Sequence, residues 1–136
     1  MKHIQQFFTQ DHFAKLCGIE LLSVAPGHAV AQMQIRPDHL NAVGIVQGGA
    51  IFTLADLAFA AASNSHGRVA VSINVSITYM KATSAGTLRA EARELSANSK
   101  LGCYTIDVTD DHGELIAVFQ GLTFRKDQAL PVATED

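Results

Sequence analysis

Residues 49–63 read as one helix, apolar on every side, whose run from Ala50 to Ala62 is interrupted only by Thr53 and Asp56. A helix lying on a surface keeps its apolar residues in a stripe, whereas one that is apolar all round must be enclosed. The run is too short to cross a bilayer, which takes about 20 apolar residues. The enclosure therefore has to come from the rest of the chain. Gln47-Gly48-Gly49 opens this helix, and Asn64-Ser65-His66-Gly67 ends it.

The period of the flanking residues says what can enclose it. Val69, Val71, Ile73, Val75, Ile77 and Tyr79 alternate with Ala70, Ser72, Asn74, Ser76, Thr78 and Met80, the two-residue period of a strand. Residues 87–95, 102–109 and 114–125 follow as strands, the last two joined by a hairpin at Asp110-Asp111-His112-Gly113. Upstream, strands over 19–24 and 29–35 flank the turn signal Pro26-Gly27, and residues 38–46 are irregular. Ile4, Phe7, Phe8, Phe13 and Leu16 place one amphipathic helix over 3–16, ended by Gly18. Six strands and one enclosed helix imply an α+β fold: an antiparallel six-stranded sheet wrapped around a central buried helix, with a short N-terminal helix. Residues 1–126 make a single domain, and 127–136 a flexible C-terminal tail.

Composition removes several classes of function. The chain of 136 residues is large enough for a core without metals or disulfides. A net charge of −3 and no basic stripe speak against nucleic acid, so an anionic ligand would depend on locally placed Lys or Arg. Cys17 and Cys103 are isolated and the six histidines stand singly, so neither a disulfide framework nor a metal site is expected. Gly48-Gly49 lacks the third glycine and the βαβ context of a dinucleotide fingerprint. With no apolar leader and no membrane span, the expectation is a soluble cytoplasmic protein with no membrane partner. Charged residues are 17% of the chain, against about a quarter in a typical domain, which suggests that further surface is hidden in an oligomer.

Chemistry concentrates on the central helix. Asp56 is the one ionisable residue between Gly48 and Asn64. It lies about two turns in, too far to cap the helix or to gain much from its dipole. A buried, unpaired carboxylate costs several kcal/mol. Either a buried partner or a helix edge relieves that cost, or the carboxylate is a base or nucleophile with a tuned pKa. Gly48-Gly49 leaves the first-turn N–H groups open to a developing negative charge, an oxyanion hole, although tight helix entry explains a glycine pair equally well. The eight residues from Gly48 to Asp56 span about 12 Å of helix. Base and oxyanion donor must both lie near one carbonyl, so a single copy of the helix cannot readily supply both. If both act, the site is composite and the protein an obligate dimer. His39, Asn41 and Gln47 can offer hydrogen bonds to a substrate carbonyl or a water, or serve only the turn. Ser72 could position a water, yet it shares its alternation face with Asn74 and Ser76, which also reads as a solvated face.

These residues, His39-Leu40-Asn41, Gly44, Gln47-Gly48-Gly49, Thr53-Leu54-Ala55-Asp56 and Ala58-Phe59-Ala60, resemble the PaaI-type hotdog acyl-CoA thioesterases. That family shows an Asn, then His-Gly-Gly opening the hotdog helix, then an Asp or Glu on it. Residues 71–80 and 113–125 resemble its long interface strand and its closing strand, so the likeness runs from about Phe13 to Arg125. It implies a hotdog fold and hydrolysis of aryl- or medium-chain acyl-CoA. Asp56 would be general base or nucleophile, and the Gly48 N–H of a partner subunit the oxyanion donor. Asn41 would position thioester or water, and Ser72 would assist the carboxylate. Lys100, with Asn98 and Ser99, would meet the CoA nucleotide, although Lys100 also reads as an ordinary turn residue. Coenzyme A is part of the substrate, no separate cofactor is implied, and the assembly would be a homotetramer built as a dimer of dimers. The departure is Gln47, where the family usually has His; an amide still donates a hydrogen bond but carries no proton. Two rivals use the same scaffold: a non-catalytic acyl-CoA binding protein, and an enoyl-CoA hydratase, whose usual carboxylate–His pair Gln47 disfavours.

Overall fold

The computed structural model describes residues 1–131. Helices α1 (Lys2–Phe7) and α2 (His12–Leu16) precede strands β1 (Ile19–Ala25) and β2 (His28–Gln34). After the central helix α3 (Gly48–Asn64) come β3 (Arg68–Tyr79), β4 (Thr87–Ala97), β5 (Leu101–Thr109) and β6 (Leu115–Ala129). The six strands form one sheet, antiparallel throughout, in the order β1-β2-β4-β5-β6-β3. Helix α3 packs against all six. The enclosed helix and wrapped sheet expected from the sequence are what the chain forms.

Complementary side-chain sizes let the sheet close around the helix. The inner faces of β2 and β4 present Ala29, Ala31, Ala90 and Ala92, all fully buried, so α3 can approach closely there. Large residues fill the opposite side. Phe59 of α3 stacks against Tyr104 of β5 with ring centroids 5.7 Å apart, and against Phe119 of β6 at 5.5 Å. Gly121 lies directly under the Phe59 ring, where a Cβ would collide with it. The end of α3 is tied down by polar side chains. Asn64 accepts from the Ala70 N–H at 2.9 Å and donates to the carbonyls of Ala60 and Ala70. Buried Ser65 donates to Ala62 O and accepts from Gly27 N–H, which joins the helix to the β1–β2 turn.

Both ends of the chain depart from the sequence reading. The expected single helix over 3–16 is broken at Asp11, which leaves helical geometry at ψ 91° and accepts from the Ala14 N–H. An aspartate that caps the next helix competes with continuing the previous one. Phe13 and Leu16 consequently stand exposed. The expected tail from 127 is, over its described part, strand and core. β6 runs on to Ala129, opposite Arg68, whose guanidinium donates to Lys126 O at 3.1 Å. Leu130 is buried and donates its N–H to Gly67 O. Residues 132–136 of that expected tail lie outside the described residues.

Replacing Gly121 by Val should destabilise the fold by about 1–3 kcal/mol, because the added carbons meet a ring packed on all sides. Chemical denaturation checks this, and an unchanged midpoint would show that the Phe59 ring can yield.

Candidate active site

Helix α3 begins with its donors largely spoken for. The Gln47 side chain caps it, Oε1 accepting from the Gly49 N–H at 2.6 Å. Ala50 and Ile51 donate to Gln47 O. Among the described residues, the Gly48 N–H is therefore the one first-turn amide with no acceptor. Because Oε1 must be the oxygen that receives Gly49, the Gln47 amide is oriented and its Nε2 donor remains for other use. On the opposite side of Gly48, its carbonyl accepts from the Tyr79 hydroxyl at 2.9 Å.

A groove of about 420 Å³ opens at this point, lined by Asn41, Gly48, Ile51, Tyr79, Lys81 and Thr83 among others. Asn41 is at its edge because of turn chemistry: its Oδ1 accepts from Val43 N at 3.0 Å and Ile45 N at 3.3 Å, closing the loop that carries Gly44 at φ +82°. Of its side chain only the Nδ2 donor is left over. His39 is buried and internally satisfied. Nδ1 accepts from Arg36 N–H, so Nε2 carries the proton and donates to Cys17 O at 2.7 Å.

Asp56 lies further along α3, outside this groove. It is only partly buried, on the stripe with Gly49, Thr53 and Ala60 that the sheet leaves incompletely covered. No side chain or N–H among the described residues bonds to its carboxylate. Burial pushes its carboxyl above the ordinary range, and the negative charge of Asp11 adds to the effect. The next residue, Leu57, lines a second groove of about 500 Å³, with Phe8, Ala14, Ile19 and Leu21 supplying apolar wall and Asp11 its rim.

Ser72 is placed by a feature that alternation could not show. In β3, Ser72 pairs with Thr123 but Asn74 pairs with Leu122, so Ile73 is an extra residue, a β-bulge. Thr123 is buried on the helix side of β6. Cross-strand partners share a face, so Ser72 points to the helix side along with Val75 and Ile77. Asn74 and Ser76 point outward. The expectation that all three share one face fails because the bulge shifts the period.

β3 is an edge strand, and much of it is uncovered: Ile73 is 54% exposed and Tyr79 49%. Its outward Val71 is opposite Phe124, which is opposite Leu101, an exposed apolar row across three strands. At the far end of α3, Asn98 shapes the β4–β5 turn by accepting from the N–H groups of Lys100 and Leu101. A groove of about 440 Å³ there is lined by Arg68, Ser99, Lys100, Phe124, Arg125 and Asp127. Arg68 and Arg125 escaped the sequence reading, since nothing local distinguishes them. They meet Lys100 only because β3, β6 and the β4–β5 turn converge. Arg125 Nε is buried there without a partner. Asp11, also missed, has a recognisable signature as a cap just ahead of a helical run.

Comparison with known proteins gives this arrangement a family. The thioesterase superfamily model matches residues 43–117. The acyl-coenzyme A thioesterase PaaI of Escherichia coli is 34% identical over 119 residues, 87% of this chain and 85% of that one. The E. coli PaaI structure, a protein of the phenylacetic acid degradation operon, superposes with a TM-score of 0.90 over 94% of each chain. The TT0310 protein of Thermus thermophilus is 37% identical, with a TM-score of 0.82 over 86% of this chain and 99% of that one. A Streptococcus mutans protein bound to acetyl-CoA is 26% identical, with a TM-score of 0.78 over 82% and 91% of the two chains. The chain belongs to the thioesterase superfamily, as a PaaI-like hotdog-fold acyl-CoA thioesterase. It is a thioester hydrolase, and no helix among its described residues is long and apolar enough to cross a membrane.

A carboxyl whose folded pKa is raised adds stability below its unfolded value, and this is lost as pH rises through the folded one. At neutral pH the ionised Asp56 therefore opposes folding. Asp56→Asn should melt at a higher temperature than the native protein near pH 7, with the difference shrinking as pH falls through the raised Asp56 midpoint and gone below about pH 4. Asp11→Asn keeps the α2 cap but removes the charge, so the NMR-detected Asp56 midpoint should move to lower pH. An unmoved midpoint would separate the two carboxylates.

Proposed function

We propose that the protein hydrolyses aryl- or medium-chain acyl-CoA thioesters at sites shared between two subunits, with Asp56 of one chain serving Gly48 of the other. The observation that carries this reading is the pair of unsatisfied groups on α3: a partly buried carboxylate without a partner and a first-turn N–H without an acceptor. They lie about 12 Å apart along the helix axis, too far to address one carbonyl.

The thioester oxygen would accept from the partner's Gly48 N–H and from Gln47 Nε2, the donor that helix capping leaves over. Asp56, acting as base, takes a proton from water as the water oxygen attacks the thioester carbon; as nucleophile it attacks that carbon directly, and once the thiolate has left, water hydrolyses the acyl–Asp56 anhydride to the free acid and the carboxylate. Collapse of the tetrahedral intermediate breaks the C–S bond and expels the thiolate, which leaves without a strong acid. Gln47 in place of His therefore costs little. Asn41 Nδ2 and the Ser72 hydroxyl, turned to the helix side by the bulge at Ile73, would order the water and the carboxylate. The acyl group fits the apolar groove beside Leu57, and Lys100 with Arg68 and Arg125 offers positive charge for the CoA phosphates. Hydrolysis of this kind asks for no cofactor, and a cytoplasmic location suits its substrate. The uncovered β3 edge supports pairing with a second copy, and the apolar row Val71–Phe124–Leu101 supports a dimer of such dimers.

A panel of aryl- and fatty acyl-CoA esters, with released thiol as the readout, tests the proposal. Asp56→Asn should lose at least about a thousandfold in kcat with the oligomer intact. Gln47→Ala should lose about 1–3 kcal/mol of transition-state stabilisation, as for one hydrogen bond in the site. Substantial turnover by Asp56→Asn would overturn the assignment; tight binding without thiol release by the native protein would favour an acyl-CoA binding role.

A further inference from the structure

Tyr79 occupies a position that its strand does not account for. It closes β3 opposite Ala117 of β6, and its backbone is anchored on both sides: Thr78 before it pairs with Val118, and Met80 and Lys81 after it both donate to Ile116 O. From that fixed base the phenol reaches across to the first turn of α3, where Oη donates to Gly48 O at 2.9 Å. The phenol end lies so close to Gly48 that a Cβ there would sit 2.9 Å from Oη and 3.0 Å from Cζ. Half of the side chain is exposed to the groove, so it is not a core residue.

We propose that Tyr79 is the positioning residue for the oxyanion donor, holding the Gly48 amide where the thioester oxygen meets it. The inference rests on the hydrolytic reading above and adds a residue to it. Two consecutive glycines make the start of α3 the most pliable part of the helix. An oxyanion donor is effective only when it is held near 3 Å from the developing charge without having to reorganise. Gln47 fixes one side of this turn by capping Gly49, and Tyr79 fixes the other by holding the Gly48 carbonyl. Gly48 is thus required twice, once to let a substrate approach its N–H and once to let the Tyr79 ring lie against its Cα.

Tyr79→Phe keeps the ring and removes the bond. We expect kcat on the best acyl-CoA substrate to fall about tenfold while KM stays within about twofold, the signature of an interaction felt in the transition state. Melting temperature and oligomeric state should be unchanged. In the ¹H–¹⁵N spectrum of the isotopically labelled protein, the ¹⁵N order parameter of the Gly48 amide should fall. An unchanged kcat, or a loss of kcat with the Gly48 order parameter unaltered, overturns the proposal, as does a fall in kcat that tracks lost oligomer. Should the native protein hydrolyse no thioester, the hydrolytic reading fails by itself. Gly48 mobility then decides separately whether Tyr79 holds the helix start: a lower order parameter in Tyr79→Phe sustains the clamp, and an unchanged one sinks it.

Discussion

A helix with no polar side can persist in water only if something covers all of it, and most of this chain's architecture follows from covering α3. The sheet must be long enough and curved enough to reach around it, and it closes because alanines on β2 and β4 let the helix come near while Phe59, Tyr104 and Phe119 fill the far side. The same enclosure sets the environment of the carboxylate proposed to act. Asp56 lies on the stripe that the sheet does not quite cover, dry enough for its carboxyl to be raised and open enough for a ligand to reach it. Covering that stripe fully would bury an unpaired charge, and exposing it fully would leave an ordinary aspartate.

The helix start obeys the same economy of polar groups. Capping by Gln47 satisfies Gly49 and simultaneously orients an amide whose remaining donor faces outward. A glutamine can therefore stand where the resemblance implies histidine: the position first has to finish a helix, and both side chains can accept from an N–H and still donate. What the exchange removes is proton transfer, and a thiolate leaving group makes little demand for it. Groups left unsatisfied in one chain, the Gly48 N–H and the Asp56 carboxylate, would become complementary in the proposed dimer, where two helices face each other across paired β3 edges.

Much of this was legible in the residues because it depends on local period. The all-round apolar run at 49–63 and the alternation at 69–80 require the enclosed helix and the long strand without reference to anything distant. What was not legible depends on contacts between segments. The bulge at Ile73 turns Ser72 toward the helix, and it is defined by pairing with β6, not by the sequence of β3. The strand beyond Arg125 persists because Arg68 and Gly67 hold it from the other side of the sheet. Arg68 joins Lys100 and Arg125 only through convergence of three elements. The break at Asp11 was readable as a cap, but the apolar residues on both sides of it gave the appearance of one helix.

The claim on which everything else turns is that each site takes one group from each of two chains. Asp56→Asn chains and Gly48→Pro chains, each inactive alone, should recover activity when dissociated together and reassembled. In every mixed pair one site then holds an intact Asp56 facing an intact Gly48, while the other holds neither. Thiol release appearing only in the mixed assembly is the predicted result; mixed pairs that form but stay as inactive as either parent would contradict a site shared between subunits.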